Sequence, residues 1–299
     1  MSFSPVPRHL PGMSVVVDTK DPAAVRREVE GILRGVFPSA DLSFVRRACG
    51  WVEDCFAGRH PGYRAIDTHY HDLEHSLQGT LCLMRLLAAR HRTGSPPVLT
   101  VRLFELSLLA ILLHDTGYLK TAEDKDGTGA KYTVIHVARS AEFAAGLLGQ
   151  KGYKPDEIRA VQHMIRCTGV NADLGAIPFA NDAERLCGCA LATADLLGQM
   201  AADDYVEKLP DLYLEFAEAA GFHHGQPVPA ILFHSPEELM RNTPWFWEHY
   251  VLPKIKEDFL GLYRFLNDPY PDGANPYVQQ VEANIARLKE ERVSVKREA

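Results

Sequence analysis

The feature that most constrains the fold is an apolar run that ends in a histidine and an aspartate. From Val101 to Leu113 the chain is apolar on nearly every side, which is the pattern of a helix at the centre of a core. His114 and Asp115 follow directly. A buried carboxylate is costly unless its charge is compensated, and a bound metal ion commonly compensates a histidine and carboxylate cluster. The run therefore predicts a helical core built around a metal site.

Helical periodicity continues through the rest of the chain, and we find no convincing period-2 alternation of the kind typical of strands. Asp21 is a favourable N-cap for a helix that begins at Pro22, since proline is favoured in the first helical turn. Further helices are predicted over residues 41–56, 70–90, 101–113, 134–149, 155–166, 182–202, 209–220, 235–242, 244–265 and 277–292. The pattern therefore predicts an all-α protein.

The organisation of the chain favours one domain rather than two. Its 299 residues contain no internal repeat, no low-complexity tract and no segment with the composition of an interdomain linker. Residues 1–20 are predicted to form an extended N-terminal arm. We predict a single helical domain over residues 21–299, with a metal-site core at about 65–200 and a helical extension at 203–299.

Composition and charge limit the classes of partner. The hydrophobic content of 46% and charged content of 24% are ordinary for a globular protein, and the net charge of -7 argues against a nucleic-acid surface. The N-terminus lacks the apolar segment of a signal peptide, and the run at 106–113 is too short to span a bilayer. Six cysteines without CxxC spacing favour free thiols. These features predict a cytoplasmic protein without a nucleic-acid or membrane partner; they do not exclude a small anionic substrate, and they leave a homodimer open.

The first group of candidate metal ligands surrounds the His-Asp pair. His71 and His75 are four residues apart, so within one helix they share a face. His114 and Asp115 are adjacent and diverge by about 100° on a helix. A carboxylate can bridge two metal ions, so Asp115 is the natural centre of a dinuclear site, in which metals about 3.5–4 Å apart bind a phosphoryl oxygen.

Three more candidates follow along the chain. Asp195 is a charged residue within an apolar helical segment, and His136 and His163 lie in or beside helical apolar patterns. Each could instead be an ordinary core residue, since half-buried histidines are common. For Asp195 that alternative is weaker, because a buried carboxylate needs a partner.

The order His, His-Asp, Asp resembles the HD-domain metal-dependent phosphohydrolase superfamily over about residues 65–200. Tyr70-His71-x-x-x-His75 is similar to the Tyr-His-Asn-x-x-His motif of cyclic-nucleotide phosphodiesterases, with Asp72 in place of the asparagine. The resemblance implies an HD-type helical bundle in which His71 is the general acid. It also implies that metal is held by His75, His114, Asp115 and Asp195.

A second resemblance concerns the other metal. His136 with the following Val-Ala-Arg-Ser-Ala-Glu is similar to the His-x-x-x-Gly-Ala-Glu segment of HD-GYP proteins, and His163 with Arg166 is similar to part of their His-His-Glu-Arg motif. Met164 replaces the second histidine there, and no Gly-Tyr-Pro follows. The resemblance therefore implies a two-metal site, with His136 and His163 on the second metal, and does not extend to a three-metal site.

The function expected from these residues is hydrolysis of a phosphodiester or phosphomonoester, on a nucleotide-like or small phosphate ester. Two divalent metals per chain, from among Fe, Mn, Zn, Ni and Mg, would bind the phosphoryl group, with His71 and Asp115 as catalytic residues. Lys120 and Arg166 are candidate substrate-binding residues; Arg166 lies about one helical turn beyond His163 and can clamp phosphate from there.

Two other functions stay open at this point. The same ligand order occurs in mixed-valent di-iron oxygenases of the HD superfamily, which resemble inositol oxygenase and act on small polar substrates. His71 favours hydrolysis over this alternative, because an alkoxide leaving group needs an acid. A non-catalytic nucleotide-binding or signalling module is the third reading, and the full set of buried charges argues against it.

Overall fold

The computed structural model describes residues 17–222 and 233–298, with side chains described up to residue 290. Within these ranges the protein is all-α, as predicted: it has ten α-helices and no β-strand, only two isolated β-bridges. The helices are α1 (Pro22–Val36), α2 (Ser43–Phe56), α3 (Leu73–Arg92), α4 (Val101–Leu113), α5 (His136–Gln150), α6 (Pro155–Ile165), α7 (Asp182–Met200), α8 (Tyr205–Phe222), α9 (Pro236–Phe246) and α10 (Pro276–Glu298).

Helix α4 forms the centre of the core, as its apolar sequence predicts. Every residue from Leu106 to Leu113 is buried, and the helix packs against α2, α3, α6 and α7. Its N-cap is Thr100, whose side chain accepts a hydrogen bond from the backbone N–H of Leu103. The end of α4 therefore lies deep in the protein, and this places His114 in the interior.

Helices α3 and α7 cross at very short range and run antiparallel. Gly198 allows this approach, because a Cβ atom there would lie 2.8 Å from the backbone of Gln78 and Gly79. His75 lies one turn before Gly79, and Asp195 lies one turn before Gly198. Their side chains reach each other at the crossing, with Nε2 of His75 3.2 Å from Oδ1 of Asp195.

The start of α3 differs from the prediction of a helix over 70–90. Asp72 caps the helix: its side chain accepts a hydrogen bond from the backbone N–H of His75 at 2.8 Å, and its own backbone is extended. His71 therefore lies before the helix and does not share a helical face with His75. The two rings still lie in contact, with centroids 5.2 Å apart.

The predicted helix over 244–265 is the largest departure. Helix α9 ends at Phe246, two π-helical turns follow at Trp247–Val251 and Lys254–Asp258, and a 3-10 turn spans Leu262–Leu266. Pro244 and Pro253 lack the backbone N–H that a continuous α-helix needs at their positions. The apolar residues of this region do recur with helical spacing, but the backbone that carries them forms π-helical and 3-10 turns and not one α-helix.

The N-terminal and C-terminal parts both pack on the core. Residues 1–16 of the predicted arm lie outside the described residues, while Thr19 donates a hydrogen bond to Glu74. From α10, the side-chain amide of Asn284 donates to the carbonyls of Met200 and Ala202 at 2.9 and 2.8 Å. Among the described residues, no helix is both long and apolar enough to cross a membrane.

Candidate metal centre

Five predicted site residues converge where α3, α4, α5 and α7 meet. His75 lies in the first turn of α3, and Asp195 lies in α7. His114 is the C-cap of α4, Asp115 begins the 3-10 turn that follows, and His136 is the first residue of α5. The possible metal ligands therefore lie at the ends of helices and where α3 crosses α7. The rigid helices around them set their positions.

Asp115 lies between three histidines. Its Oδ2 lies 3.2 Å from Nε2 of His75 and 3.2 Å from Nε2 of His114. Its Oδ1 lies 3.8 Å from Nε2 of His136. The two carboxylate oxygens therefore face different imidazoles, which is the arrangement a carboxylate needs if it is to bridge two ions.

Asp195 lies on the other side of the same two histidines. Its Oδ1 lies 3.2 Å from Nε2 of His75 and 3.4 Å from Nε2 of His114. Two sets of possible ligand atoms lie mutually within 4.8 Å: one comes from His71, His75 and Asp115, and the other from His75, His114 and Asp195. Buried histidine and aspartate side chains in these two sets could hold a metal ion.

Backbone carbonyls fix the orientation of two of the imidazoles. Nδ1 of His114 lies 2.6 Å from the carbonyl oxygen of Ile111, and Nδ1 of His136 lies 2.5 Å from that of Thr133. Donation from Nδ1 directs each Nε2 toward Asp115, and Nε2 is then the nitrogen that can bind a metal ion once it has lost its proton. Such second partners are the usual means of orienting a metal-binding histidine.

The two carboxylates of the cluster favour positive charge beside them, so His75 and His114 hold their protons more strongly than ordinary histidines. Burial alone would lower the pKa of His75, but its contacts with Asp115 and Asp195 outweigh burial and raise the pKa to about 10. The pKa of His114 is also raised, against burial, by the same two carboxylates. Burial would raise the pKa of both carboxyls, yet the charge of His114 and the contact with His75 hold the pKa of each well below its usual range.

Two orphaned atoms support a metal ion as the natural occupant. Nε2 of His114 and Oδ2 of Asp115 are fully buried and make no hydrogen bond, although they lie 3.2 Å apart. A buried polar atom without a hydrogen-bond partner calls for an explanation, and a bound ion is one. Imidazole and carboxylate together suit Fe, Mn, Zn or Ni, so the donor set fits a divalent transition metal.

His71 is held at the edge of the cluster by a buried glutamate from α8. Glu215 accepts hydrogen bonds from the backbone N–H groups of Tyr70 and His71, and its Oε2 lies 2.5 Å from Nδ1 of His71. Burial would raise the pKa of Glu215, but the nearby His71 and these hydrogen bonds lower it. The carboxylate is therefore ionised at neutral pH, and it leaves Nε2 of His71 as the free ring nitrogen.

Tyr118 stacks against two histidines of the site. Its ring centroid lies 4.9 Å from that of His71 at an interplanar angle of 25°, and 4.8 Å from that of His136 at 13°. The tyrosine is completely buried. The stack therefore fixes the planes of both imidazoles at the edge of the cluster.

The structure does not bring His163 to the other donors. Nδ1 of His163 lies 2.6 Å from Oε1 of Glu184, near the start of α7. Glu184 and Asp195 are eleven residues apart on that helix, which is a separation of about 16 Å along its axis. The predicted place of His163 on a second metal therefore does not fit this geometry, and the sequence signal reflects a buried His-Glu pair.

The two predicted substrate-binding residues also have other surroundings. Nζ of Lys120 is buried and donates to Oδ2 of Asp67 at 3.2 Å and to the carbonyl of Gly127, so this lysine ties down the 124–129 loop. Arg166 is exposed at the C-terminal end of α6, beside the His163 pair and not beside Asp115. The structure places neither cation in the cluster.

Glu215, Tyr118 and Gln199 belong to the site but are absent from the predicted set. Gln199 donates to Oδ1 of Asp195 at 3.3 Å and accepts from the hydroxyl of Tyr70 at 2.8 Å. Glu215 carried a detectable signal, because it is an acid on the apolar side of a predicted helix, as Asp195 is. Tyr118 and Gln199 gave no such signal in the sequence, since neither departs from the residue pattern around it.

Comparison with protein-family models assigns a family to most of the chain. A family model described as Npun_R2479-like matches residues 62–268. This range contains every predicted metal ligand and Glu215. No curated protein matches the sequence.

Proposed function

The chain belongs to the Npun_R2479-like family, and from the site within the matched range we propose that it is an HD-type metal-dependent phosphohydrolase. The proposal rests on one observation above all. An imidazole held by a buried carboxylate, His71 on Glu215, lies beside a histidine and aspartate cluster suited to metal. This combination gives the site both a place for a phosphoryl group and an acid for its leaving group.

The cluster residues have defined parts in this proposal. His75, His114 and Asp195 would hold one ion, and Asp115 would contribute to it and, with His136, to a second ion. Divalent ions at such a site neutralise phosphoryl charge and lower the pKa of water. Proton transfer to the leaving group is assigned to a side chain of the site.

His71 is the proposed general acid. Its Nδ1 is engaged by Glu215, so Nε2 is the atom that can give a proton to the leaving oxygen. Glu215 fixes the ring and stabilises positive charge on it. After release of the product, the same nitrogen can take up a proton from water.

The open side of the cluster indicates where substrate would enter. The side chains of His71 and His136 are 14% and 20% exposed, whereas those of His75 and His114 are 4% and 2% exposed. A phosphate ester would therefore approach from the His71 and His136 side. This places its leaving group next to the proposed acid and supports a nucleotide-like or small ester as substrate.

The test is hydrolysis of two diesters by the metal-loaded protein: bis-p-nitrophenyl phosphate, which has a good leaving group, and diphenyl phosphate, which has a poor one. Asp115→Asn should abolish turnover of both, because it removes the shared carboxylate. His71→Gln should lower turnover of diphenyl phosphate far more, by about 10²–10⁴-fold, because only a poor leaving group needs full protonation.

His69→Gln is the matched control, since His69 is exposed two residues from His71. It should leave both activities unchanged. Equal losses on the two diesters in His71→Gln would remove the acid role. Oxygen consumption by iron-loaded protein that hydrolyses neither ester would replace the hydrolase with the di-iron oxygenase.

A further inference from the structure

A cleft of about 240 Å³ lies beside the metal centre without being part of it. Thr116, Gly117 and Leu119 line one wall, and α5 forms the opposite one. Asp115 and Tyr118, from the same stretch of chain, contribute to the metal cluster instead. The turn after α4 therefore has one set of residues in the cluster and another in the cleft.

Three aromatic rings form one end of this cleft. The ring centroid of His60 lies 5.5 Å from that of Tyr63 and 5.1 Å from that of Phe143, and those of Tyr63 and Phe143 lie 5.3 Å apart. The rings meet at steep angles, from 48° to 90°. A planar ligand can therefore lie against one face while its edge meets another, which is a favourable aromatic arrangement.

The polar groups of the cleft select for hydrogen-bond donors. Glu142 is exposed on α5, and no hydrogen bond or ion pair of its side chain is found among the described residues. Arg139 is committed to the turn, since its Nε and Nη2 donate to the carbonyls of Gly117 and Leu119 at 2.7 and 2.6 Å. Burial lowers the pKa of His60, so this ring is neutral at neutral pH. The carboxylate of Glu142 is therefore the charged acceptor of the cleft that has no partner among the described residues.

We infer that this cleft is a second ligand site, for a small planar nitrogen heterocycle that carries N–H donors. The aromatic end would take the ring, and Glu142, with the amide of Gln150, would accept its N–H groups. The volume lies below the roughly 300–1,000 Å³ of sites for drug-sized ligands, so one ring system fits and a whole nucleotide does not. The site adjoins the metal centre through the turn that Arg139 braces.

Two glycines of α5 provide a matched test. A Cβ atom at Gly146 or at Gly149 meets nothing within 4 Å, but only Gly146 lines the cleft. Gly146→Leu should fill the cleft and Gly149→Leu should not, and both should fold, since leucine is a better helix former than glycine. Binding of adenine, measured by calorimetry on the full-length protein, should persist in Gly149→Leu and disappear in Gly146→Leu.

Glu142→Gln tests the chemical class of the ligand. Loss of the charged acceptor should weaken adenine binding by about tenfold. Benzoate, a planar anion without N–H donors, should fail to bind the unaltered protein. Benzoate binding as tight as that of adenine would overturn the proposed class.

The two sites can be told apart in the same experiment. Adenine binding that survives in Gly146→Leu, or no binding to the unaltered protein at millimolar ligand, would overturn the inference. Phosphodiester hydrolysis by Gly146→Leu should match that of Gly149→Leu, because neither residue belongs to the metal cluster. Failure of the hydrolase proposal would leave the binding result unchanged.

Discussion

Glu215 shows how much of the site depends on a single residue outside the metal cluster. Its carboxylate engages the backbone of Tyr70 and both the backbone and the ring of His71. One side chain from α8 therefore sets the position of a segment that precedes α3. Without it, the His71 ring would keep its contacts with neighbouring rings, such as Tyr118 and His75, but no hydrogen bond at Nδ1.

Glu215→Gln should lower kcat for diphenyl phosphate by about 10–100-fold, which is the usual effect of losing a second partner, and should change KM little. The amide keeps the shape but loses the charge that stabilises a protonated His71. The loss should be smaller for bis-p-nitrophenyl phosphate. Asp211→Asn, one turn earlier on α8, is the control, and equal losses on both esters would indicate a purely structural role.

The charge arrangement of the cluster predicts a pH dependence of stability in metal-free protein. The pKa of His75 is about 10 in the folded state and about 6.5 in the unfolded state, so its contribution is complete below pH 6.5. That contribution is lost as the pH rises through about 10. The carboxyls act in the opposite direction: their lowered pKa values stabilise the fold above about pH 4, and this is lost in acid.

Chelator-treated protein should therefore lose free energy of unfolding between about pH 6.5 and 10, as measured by urea denaturation. His75→Gln should remove most of this slope, while His69→Gln should keep it. A slope that His75→Gln leaves unchanged would mean that other groups dominate the titration.

At the scale of single residues, the sequence identified most of the cluster but not its support. His75, His114, Asp115 and Asp195 were predictable because a charge in an apolar helix is conspicuous. His163 gave the same sequence signal for another reason. It is buried against Glu184, an acid that lies 21 residues further along the chain. Sequence pattern reports that a polar group is buried, and only the fold decides which partner it meets.

At the scale of elements, the crossing of α3 and α7 determines the geometry of the site. Gly198 allows the two backbones to touch, and His75 and Asp195 stand one turn from the contact. Helix α4 then delivers His114 and Asp115 from a third direction. The site is therefore sensitive to the distance between two helices, not only to its own side chains.

Gly198→Ala should push these helices apart, because the new Cβ would lie 2.8 Å from backbone atoms that cannot move aside. We expect weaker metal binding by calorimetry and a loss of unfolding free energy of about 1–3 kcal/mol. Gly50→Ala in α2 is the control, since nothing lies within 4 Å there and alanine favours the helix. Unchanged metal affinity in Gly198→Ala would show that the crossing does not control the site.

The helices themselves were largely predictable, and the failures have local causes. Caps such as Asp21 and an apolar stripe fixed most helix positions to within a few residues. Helix α3 begins after His71 and not at Tyr70 as predicted, because the side chain of Asp72 caps the helix. Between Phe246 and Leu266 the apolar pattern continues through π-helical turns, and the left-handed backbone of Leu260 and Gly261 ends the helical run, so periodicity alone overestimates α-helix there.

At the scale of the whole molecule, the candidate metal ties four helices together through one point. Ligands from α3, α4, α5 and α7 would share it, so binding should stabilise the entire fold. Metal at a hundredfold excess over its Kd adds about 2.7 kcal/mol, which corresponds to a rise in Tm of about 5 °C. Scanning calorimetry with and without chelator should show this rise, and Asp115→Asn should lack it; a chelator effect of equal size in the variant would place the metal elsewhere.

The position of the site at the end of α4 has a further consequence. The peptide dipoles of a helix sum to about half a negative charge at its C-terminus, which attracts cations and repels anions. His114 and Asp115 stand at that end, where Nδ1 of His114 also contacts the carbonyl of Ile111. This end of the core helix thus favours a cation where Asp115 and Asp195 also lie, whereas the N-terminal ends of α3 and α5, which carry His75 and His136, contribute the opposite sign. Binding should therefore be ordered: the cation enters first, at the carboxylates, and the anionic ester follows on the side of His71 and His136.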